Sequence, residues 1–292
     1  MTGTPPPAPP GTNRSAGRDL PAAIVVGVGL VGAFVATLLW WHWGFILLVA
    51  VGLSLGAVEV GQALRRVGMN AAVTPIVVGT FGMIVGTYAA ATGVGLVPIP
   101  WHAVLLMFLG ATVLTSLIVR FPQGHENFVR DAAASVFIIG YIGLLGSFTA
   151  LILAGDNGAG RMVTYILCIV GSDTGGYAVG ALLGRTPLAP RISPKKTVEG
   201  SVGSVLLSGA VGMAMAEWVL HVPWWVGLLL SVVCVFFGTC GDLIESAIKR
   251  DVGIKDMSSM LPGHGGIMDR LDSMLVAAAP AWLVLLLFVP GG

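Results

Sequence analysis

Six of the chain's fourteen carboxylates fall within one stretch: Asp242, Glu245, Asp251, Asp256, Asp269 and Asp272. Lys249, Arg250, Lys255, His264 and Arg270 are interleaved with them. A solvated loop accounts for a run of charge, but not for the spacing. Asp242 and Glu245 are three apart, as are Asp269 and Asp272. On a helix such pairs share a face and present two carboxylates to one point. Between the pairs runs Leu261-Pro262-Gly263-His264-Gly265-Gly266, whose glycines leave backbone N–H groups open to an anion. Carboxylates beside cations and a glycine-rich turn suit a phosphate chain carried by Mg²⁺, which takes one or two carboxylates plus substrate phosphates.

A second patch has the same character. Gly171-Ser172-Asp173-Thr174-Gly175-Gly176-Tyr177 puts a carboxylate inside an apolar run, and Pro187 to Gly200 reads PLAPRISPKKTVEG, with Ser193, Lys195, Lys196 and Thr197 in it. Asp173 precedes Gly184 by 11 residues, or about 16 Å along an ideal helix. It must therefore line a cavity, or the helix must break at Gly175-Gly176. Ionisable groups at such depth are costly and are functional candidates by default. Two apolar runs separate this patch from the Asp242–Asp272 stretch, so both face one side of any membrane.

The elements that must hold these residues are membrane helices. The 292 residues are 55% hydrophobic and 10% charged, with mean hydropathy +0.91, against about 25% charged in a soluble domain. Nine segments approach the ~20 apolar residues a span needs: 22–40, 43–63, 71–91, 101–119, 131–153, 161–183, 199–219, 223–242 and 270–289. The expected fold is all-α, a polytopic helical bundle. Trp40, Trp41, Trp43, Trp101, Trp224 and Trp225 fall at segment ends, where aromatic belts sit. With the N-terminus inside, the cytoplasmic segments hold Arg14, Arg18, Arg65, Arg66, Arg120, Arg130, Arg185, Arg191, Lys195, Lys196, Lys249, Arg250, Lys255 and Arg270, and the outer ones only Arg161. Such asymmetry orients the chain: N-terminus and active site cytoplasmic, C-terminus outside, in the plasma membrane. Residues 1–20 read as a disordered cytoplasmic tail, 21–170 as N-terminal membrane helices, and 171–292 as the catalytic region. Glycines four apart (Gly52/Gly56, Gly82/Gly86, Gly176/Gly180, Gly180/Gly184) allow close helix contact.

Other signals carry no chemistry. Gly27 to Gly32 matches G-x-G-x-x-G, but inside a span, with no preceding strand and Glu59 as the next carboxylate. Cys168, Cys234 and Cys240 lack paired ligand spacing and read as small core residues. Net charge is +1, so no basic field recruits nucleic acid. Neither a Walker A loop nor a nucleophile elbow is present.

At the charged residues the chain resembles the phosphatidate cytidylyltransferase (CDP-diacylglycerol synthase) family, whose signature is S-x-φ-K-R-x4-K-D, a short spacer and H-G-G-φ-x-D-R-φ-D, with φ apolar. Ser246, Ile248, Lys249, Arg250, Lys255, Asp256, His264, Gly265, Gly266, Ile267, Asp269, Arg270, Leu271 and Asp272 supply it without a gap. Upstream, the family's S-D-T-x-A-Y and S-P-K-K-T-W-E-G recur with Gly176 for alanine and Val198 for tryptophan. The resemblance implies CTP and phosphatidate, a membrane lipid, as substrates, CDP-diacylglycerol and pyrophosphate as products, Mg²⁺ as cofactor with a second cation left open, and a homodimer. Asp242, Asp269 and Asp272 are assigned to the metal and to catalysis, with Asp173 and Glu245 as further ligands. Lys249 and Arg250 join the catalytic set. Ser193, Lys195, Lys196, Thr197, Lys255, His264, Gly265, Gly266 and Arg270 are assigned to substrate. A CTP-dependent lipid kinase, which would transfer the γ-phosphate, is the nearest rival. An ion-coupled transporter explains Asp173 but not the interleaved carboxylates and cations.

Overall fold

The computed structural model describes residues 20–94, 98–258, 260 and 265–291. The tail expected at residues 1–20 lies, but for its last residue, outside the described residues, as does His264. Where nine spans were expected, the chain forms α1 (Leu20–Trp40), α2 (His42–Arg65), α3 (Val73–Ala91), α4 (Trp101–Ile118), α5 (Phe128–Ile138) continued by α6 (Leu145–Ala154), α7 (Gly158–Leu183), α8 (Val198–Trp218), α9 (Trp224–Asp251) and α10 (Met268–Phe288). Among the described residues eight helical segments, all but α1, are long and apolar enough to cross a membrane. The protein is a polytopic membrane helical bundle.

Three details depart from the expectation. A π-helical turn, Ile139–Leu144, joins α5 to α6. The polar stretch 184–197 is a short antiparallel ribbon, β1 (Pro187–Ala189) against β2 (Ser193–Thr197), with Pro187 opposite Thr197. And α9 does not end at Asp242 but runs on to Asp251. Of its last nine residues five are polar or charged (Glu245, Ser246, Lys249, Arg250 and Asp251), so the apolar run ends before them, yet they contain no helix breaker.

Close backbone contact builds the second half. A Cβ on Gly203 of α8 would strike the Gly175 carbonyl of α7 at 2.5 Å. Along the same seam Ser204 Oγ donates to the Ser172 carbonyl at 2.7 Å, Ser208 Oγ to that of Cys168 at 2.8 Å, and Ser231 Oγ of α9 to that of Ser208 at 2.8 Å. Small residues and interhelical hydroxyl bonds hold helices together where apolar burial cannot. Of the expected glycine pairs, Gly52 faces open space, whereas a Cβ on Gly56 would lie 3.1 Å from Met268 Sδ and one on Gly176 would lie 2.6 Å from Ser204 Oγ. Cys168 and Cys234 are free and buried, as expected of core residues.

Two buried arginines fasten the ends. Arg161, 2% exposed, donates to the carbonyls of Asp156 (2.8 Å), Pro290 (2.8 Å) and Val289 (3.2 Å), stapling the end of α10 to the start of α7. At the opposite face Arg120 pairs with Asp131, whose other oxygen accepts from Asn70 N at 2.6 Å, tying the α2–α3 loop to α4 and α5.

Candidate active site

The site forms where α9 and α10 touch. A Cβ on Gly241 would sit 3.1 Å from Ser273 Cα and closer still to the Asp272 carbonyl, so the glycine sets how near the two backbones come. Asp242, Glu245 and Lys249 follow it at helical spacings of three and four, on one face of α9. Asp242 Oδ1 accepts from Ser273 Oγ of α10 at 2.7 Å, while Oδ2 pairs with Lys196 of β2. That ion pair brings the ribbon onto the C-terminal third of α9, so the two charged patches do share one face of the bundle. Lys249 Nζ bridges Glu245 Oε2 at 2.5 Å and Asp269 Oδ1 at 2.8 Å. Asp272, 8% exposed, lies against both Asp242 and Glu245.

An open cavity of about 200 Å³ results, lined by Ile169, Asp173, Asp242, Asp269, Arg270, Asp272, Ser273 and Met274. Four carboxylates from three helices converge on it. α7 runs unbroken past Gly175-Gly176 to Leu183, so of the two alternatives for Asp173 the structure takes the cavity.

The remaining expected site residues take several positions. Glu245 and Lys249 lie behind the cavity wall. Arg250 and Lys255 are exposed at the α9–α10 connection and do not line the cavity. Ser193 and Lys195 lie on the ribbon with Lys196, which alone of the three forms an ion pair with a cavity carboxylate among the described residues. Thr197 Oγ1 accepts from Gly200 N at 3.1 Å and caps α8. Gly265 has φ of 80°, and Gly266 N donates to Asp269 Oδ2 at 2.8 Å, joined there by Met257 N at 3.0 Å. The N–H of Gly266 thus does meet an anion, and the anion is the protein's own carboxylate.

Two residues escaped the sequence reading. Glu199 accepts from the backbone N–H groups of Arg185 and Thr186 (3.1 Å each) and from Thr186 Oγ1 (2.9 Å), fixing the base of the ribbon. Its place within three residues of Lys196 was the available signal. Glu59 of α2 reaches the start of α10 and had no such signal.

Among the described residues no three His, Cys, Asp or Glu side chains are already arranged to hold a metal ion. The donor set nevertheless suits a hard cation. The cavity's carboxylates are oxygen ligands, and behind them Glu245 Oε1 is buried with no hydrogen-bond donor among the described residues. A site of one or two carboxylates completed by substrate phosphates is the usual one for Mg²⁺.

Comparison with known proteins shows the family. The model of the cytidylyltransferase family matches residues 21–288. The chain belongs to that family. It is 39% identical over 289 residues to a phosphatidate cytidylyltransferase of Mycobacterium leprae, covering 93% of this chain and 89% of that one. A phosphatidate cytidylyltransferase of Mycobacterium bovis is 38% identical over 288 residues, covering 95% and 92%. One from Staphylococcus epidermidis is 40% identical over 146 residues, half of this chain.

Proposed function

We propose that the protein transfers the cytidylyl group of CTP to phosphatidate, giving CDP-diacylglycerol and pyrophosphate. The observation that carries this is the cavity in which Asp173, Asp242, Asp269 and Asp272 converge beside Arg270, with Lys196 and Lys249 ion-paired to its carboxylates. A phosphatidate phosphate oxygen attacks the α-phosphorus of CTP, the bond from that phosphorus to the β-phosphate oxygen breaks, and pyrophosphate leaves. The attacking phosphate is already anionic, so the barrier lies in positioning and in charge rather than in removing a proton.

Asp242, Asp272 and Asp173 are the residues that would hold Mg²⁺, with Asp269 and Glu245 supporting them. Bound there, the ion supplies charge neutralisation for the triphosphate and the leaving pyrophosphate. Lys196 is a point charge on a flexible stem, able to turn from Asp242 to a phosphate. Arg270 in the cavity wall, and Arg250 and Lys255 outside it, add positive charge for the substrates' phosphates. Lys249 keeps Glu245 and Asp269 from repelling one another.

The site takes a lipid from the bilayer and a nucleotide from the cytoplasm, so the face carrying the ribbon and the α9–α10 connection is cytoplasmic. The basic residues at that face support this orientation in the plasma membrane. The family resemblance adds a homodimer. Pyrophosphate release by the purified protein tests the reaction: it should require CTP, phosphatidate and Mg²⁺ together. Release that proceeds without phosphatidate would overturn the proposal.

A further inference from the structure

Glu59 sits in α2, six residues before its end at Arg65, and is 1% exposed. Its Oε1 accepts from Ser258 Oγ at 2.5 Å and Ile267 N at 3.0 Å, and its Oε2 from Met268 N at 2.9 Å. The first N–H groups of a helix have no partner within it. Ile267, at the N-cap of α10, has no side chain that could serve them. Glu59 serves them from another helix, more than 200 residues away in the chain. A carboxylate is well suited to this place, because bonds to an ionised acceptor are stronger than neutral ones and the helix dipole favours negative charge there.

Asp269 completes the arrangement from within α10 by accepting from Gly266 N. The backbone N–H groups of Gly266, Ile267 and Met268 are thereby divided between two carboxylates. Gly266 is confined between them: a Cβ there would lie 2.8 Å from Glu59 Oε2 and 3.1 Å from Asp269 Oδ2. This is a physical reason for glycine at 266, separate from any contact with nucleotide. The same first turn carries Asp269, and Asp272 follows one turn later on the cavity side.

We infer that Glu59 is a positioning residue for the reaction: by capping α10 in trans and holding Ser258, it fixes where Asp269 and Asp272 stand in the cavity. The inference rests on the cytidylyl-transfer reading above. A displacement of about 1 Å in a catalytic group is enough to cost about 100-fold in rate. An anchor with no part in positioning would change stability and leave the folded enzyme's turnover alone.

Glu59→Gln in the full-length protein separates the two. The amide keeps the shape and one acceptor oxygen, but sets an NH₂ group against a backbone N–H of α10. The expected result is a folded protein whose KM for CTP changes less than about 3-fold while kcat falls about 10- to 100-fold. Amide exchange at Ile267 and Met268 should rise at least about 10-fold, as expected when a local opening becomes easier. A folded variant with wild-type kcat overturns the inference. Should Glu59→Gln not fold, Ser258→Ala decides, since it removes one of the three accepted bonds: a kcat lowered at least about 3-fold with unchanged thermal stability upholds the inference, and wild-type kcat overturns it. Failure of the underlying reading is distinct, because it shows as a wild-type protein with no cytidylyl transfer before any variant is made.

Discussion

Lys249→Met should destabilise the protein in a way that a second substitution partly repairs. Lys249 is 17% exposed and bridges Glu245 and Asp269, whose side chains are 2% and 11% exposed. The two carboxylates would not suffer equally. Asp269 keeps the N–H groups of Gly266 and Met257 on its other oxygen. Glu245 keeps much less, because among the described residues Oε1 is buried without a donor and Oε2 would lose Lys249. It would also remain against Asp272. Removing one member of a buried ion pair costs about 3–5 kcal/mol, because the other charge is left uncompensated. Most of that should be assignable to Glu245, so Lys249→Met/Glu245→Gln should recover about 2 kcal/mol over Lys249→Met alone. Groups in contact commonly couple by about 0.5–3 kcal/mol, and this coupling should lie in the upper half of that range. Thermal and SDS-induced unfolding of the four purified proteins gives the cycle. Strict additivity, or a Lys249→Met protein within about 0.5 kcal/mol of wild type, would refute the reasoning.

Further outcomes follow from single contacts. Gly241→Ala should force α9 and α10 apart at the site, costing about 1–3 kcal/mol and at least about 10-fold in kcat. Gly238→Ala, whose Cβ would meet its nearest atom at an ordinary 3.4 Å, should be mild, and equal effects in thermal unfolding and turnover would count against the proposed crossing. Asp269→Asn and Asp272→Asn should each lower turnover at least about 100-fold in protein that still folds, and near-normal kinetics in either would remove that residue from the catalytic site. Tyr141→Phe should not lower the unfolding temperature, because the hydroxyl is buried with no partner among the described residues and an unsatisfied polar group is itself a cost. In a background without Cys240, a cysteine at Arg191 should resist impermeant reagents in intact cells while one at His221 reacts, and the reverse would invert the topology.

The sequence reveals those features whose cause lies nearby in the chain. Apolar runs of membrane length placed the eight helical segments long enough to cross a bilayer, because span length is set by the bilayer and not by tertiary context. Asp242/Glu245 and Asp269/Asp272 were legible as pairs because helical spacing puts them on one face, and the cavity does contain Asp242, Asp269 and Asp272 with Asp173. The continuation of α9 to Asp251 was missed because charged residues interrupt the apolar run in its last turns while leaving the helix intact. The π turn at Ile139–Leu144 has no local marker at all. Glu59 is the extreme case: its partners are Ser258, Ile267 and Met268, and nothing around it in α2 announces them. Gly266 was read as leaving its N–H open to an anion, and the structure supplies that anion as Asp269.

Cytidylyl transfer at the cavity between α7, α9 and α10 differs from kinase chemistry in the phosphorus of CTP that is attacked. CTP labelled at the α-phosphate and CTP labelled at the γ-phosphate, each given to the purified protein with phosphatidate, test it most directly. The α-label should appear in the lipid and the γ-label in free pyrophosphate. Lipid carrying the γ-label, with CDP as by-product, would contradict it and make the protein a lipid kinase.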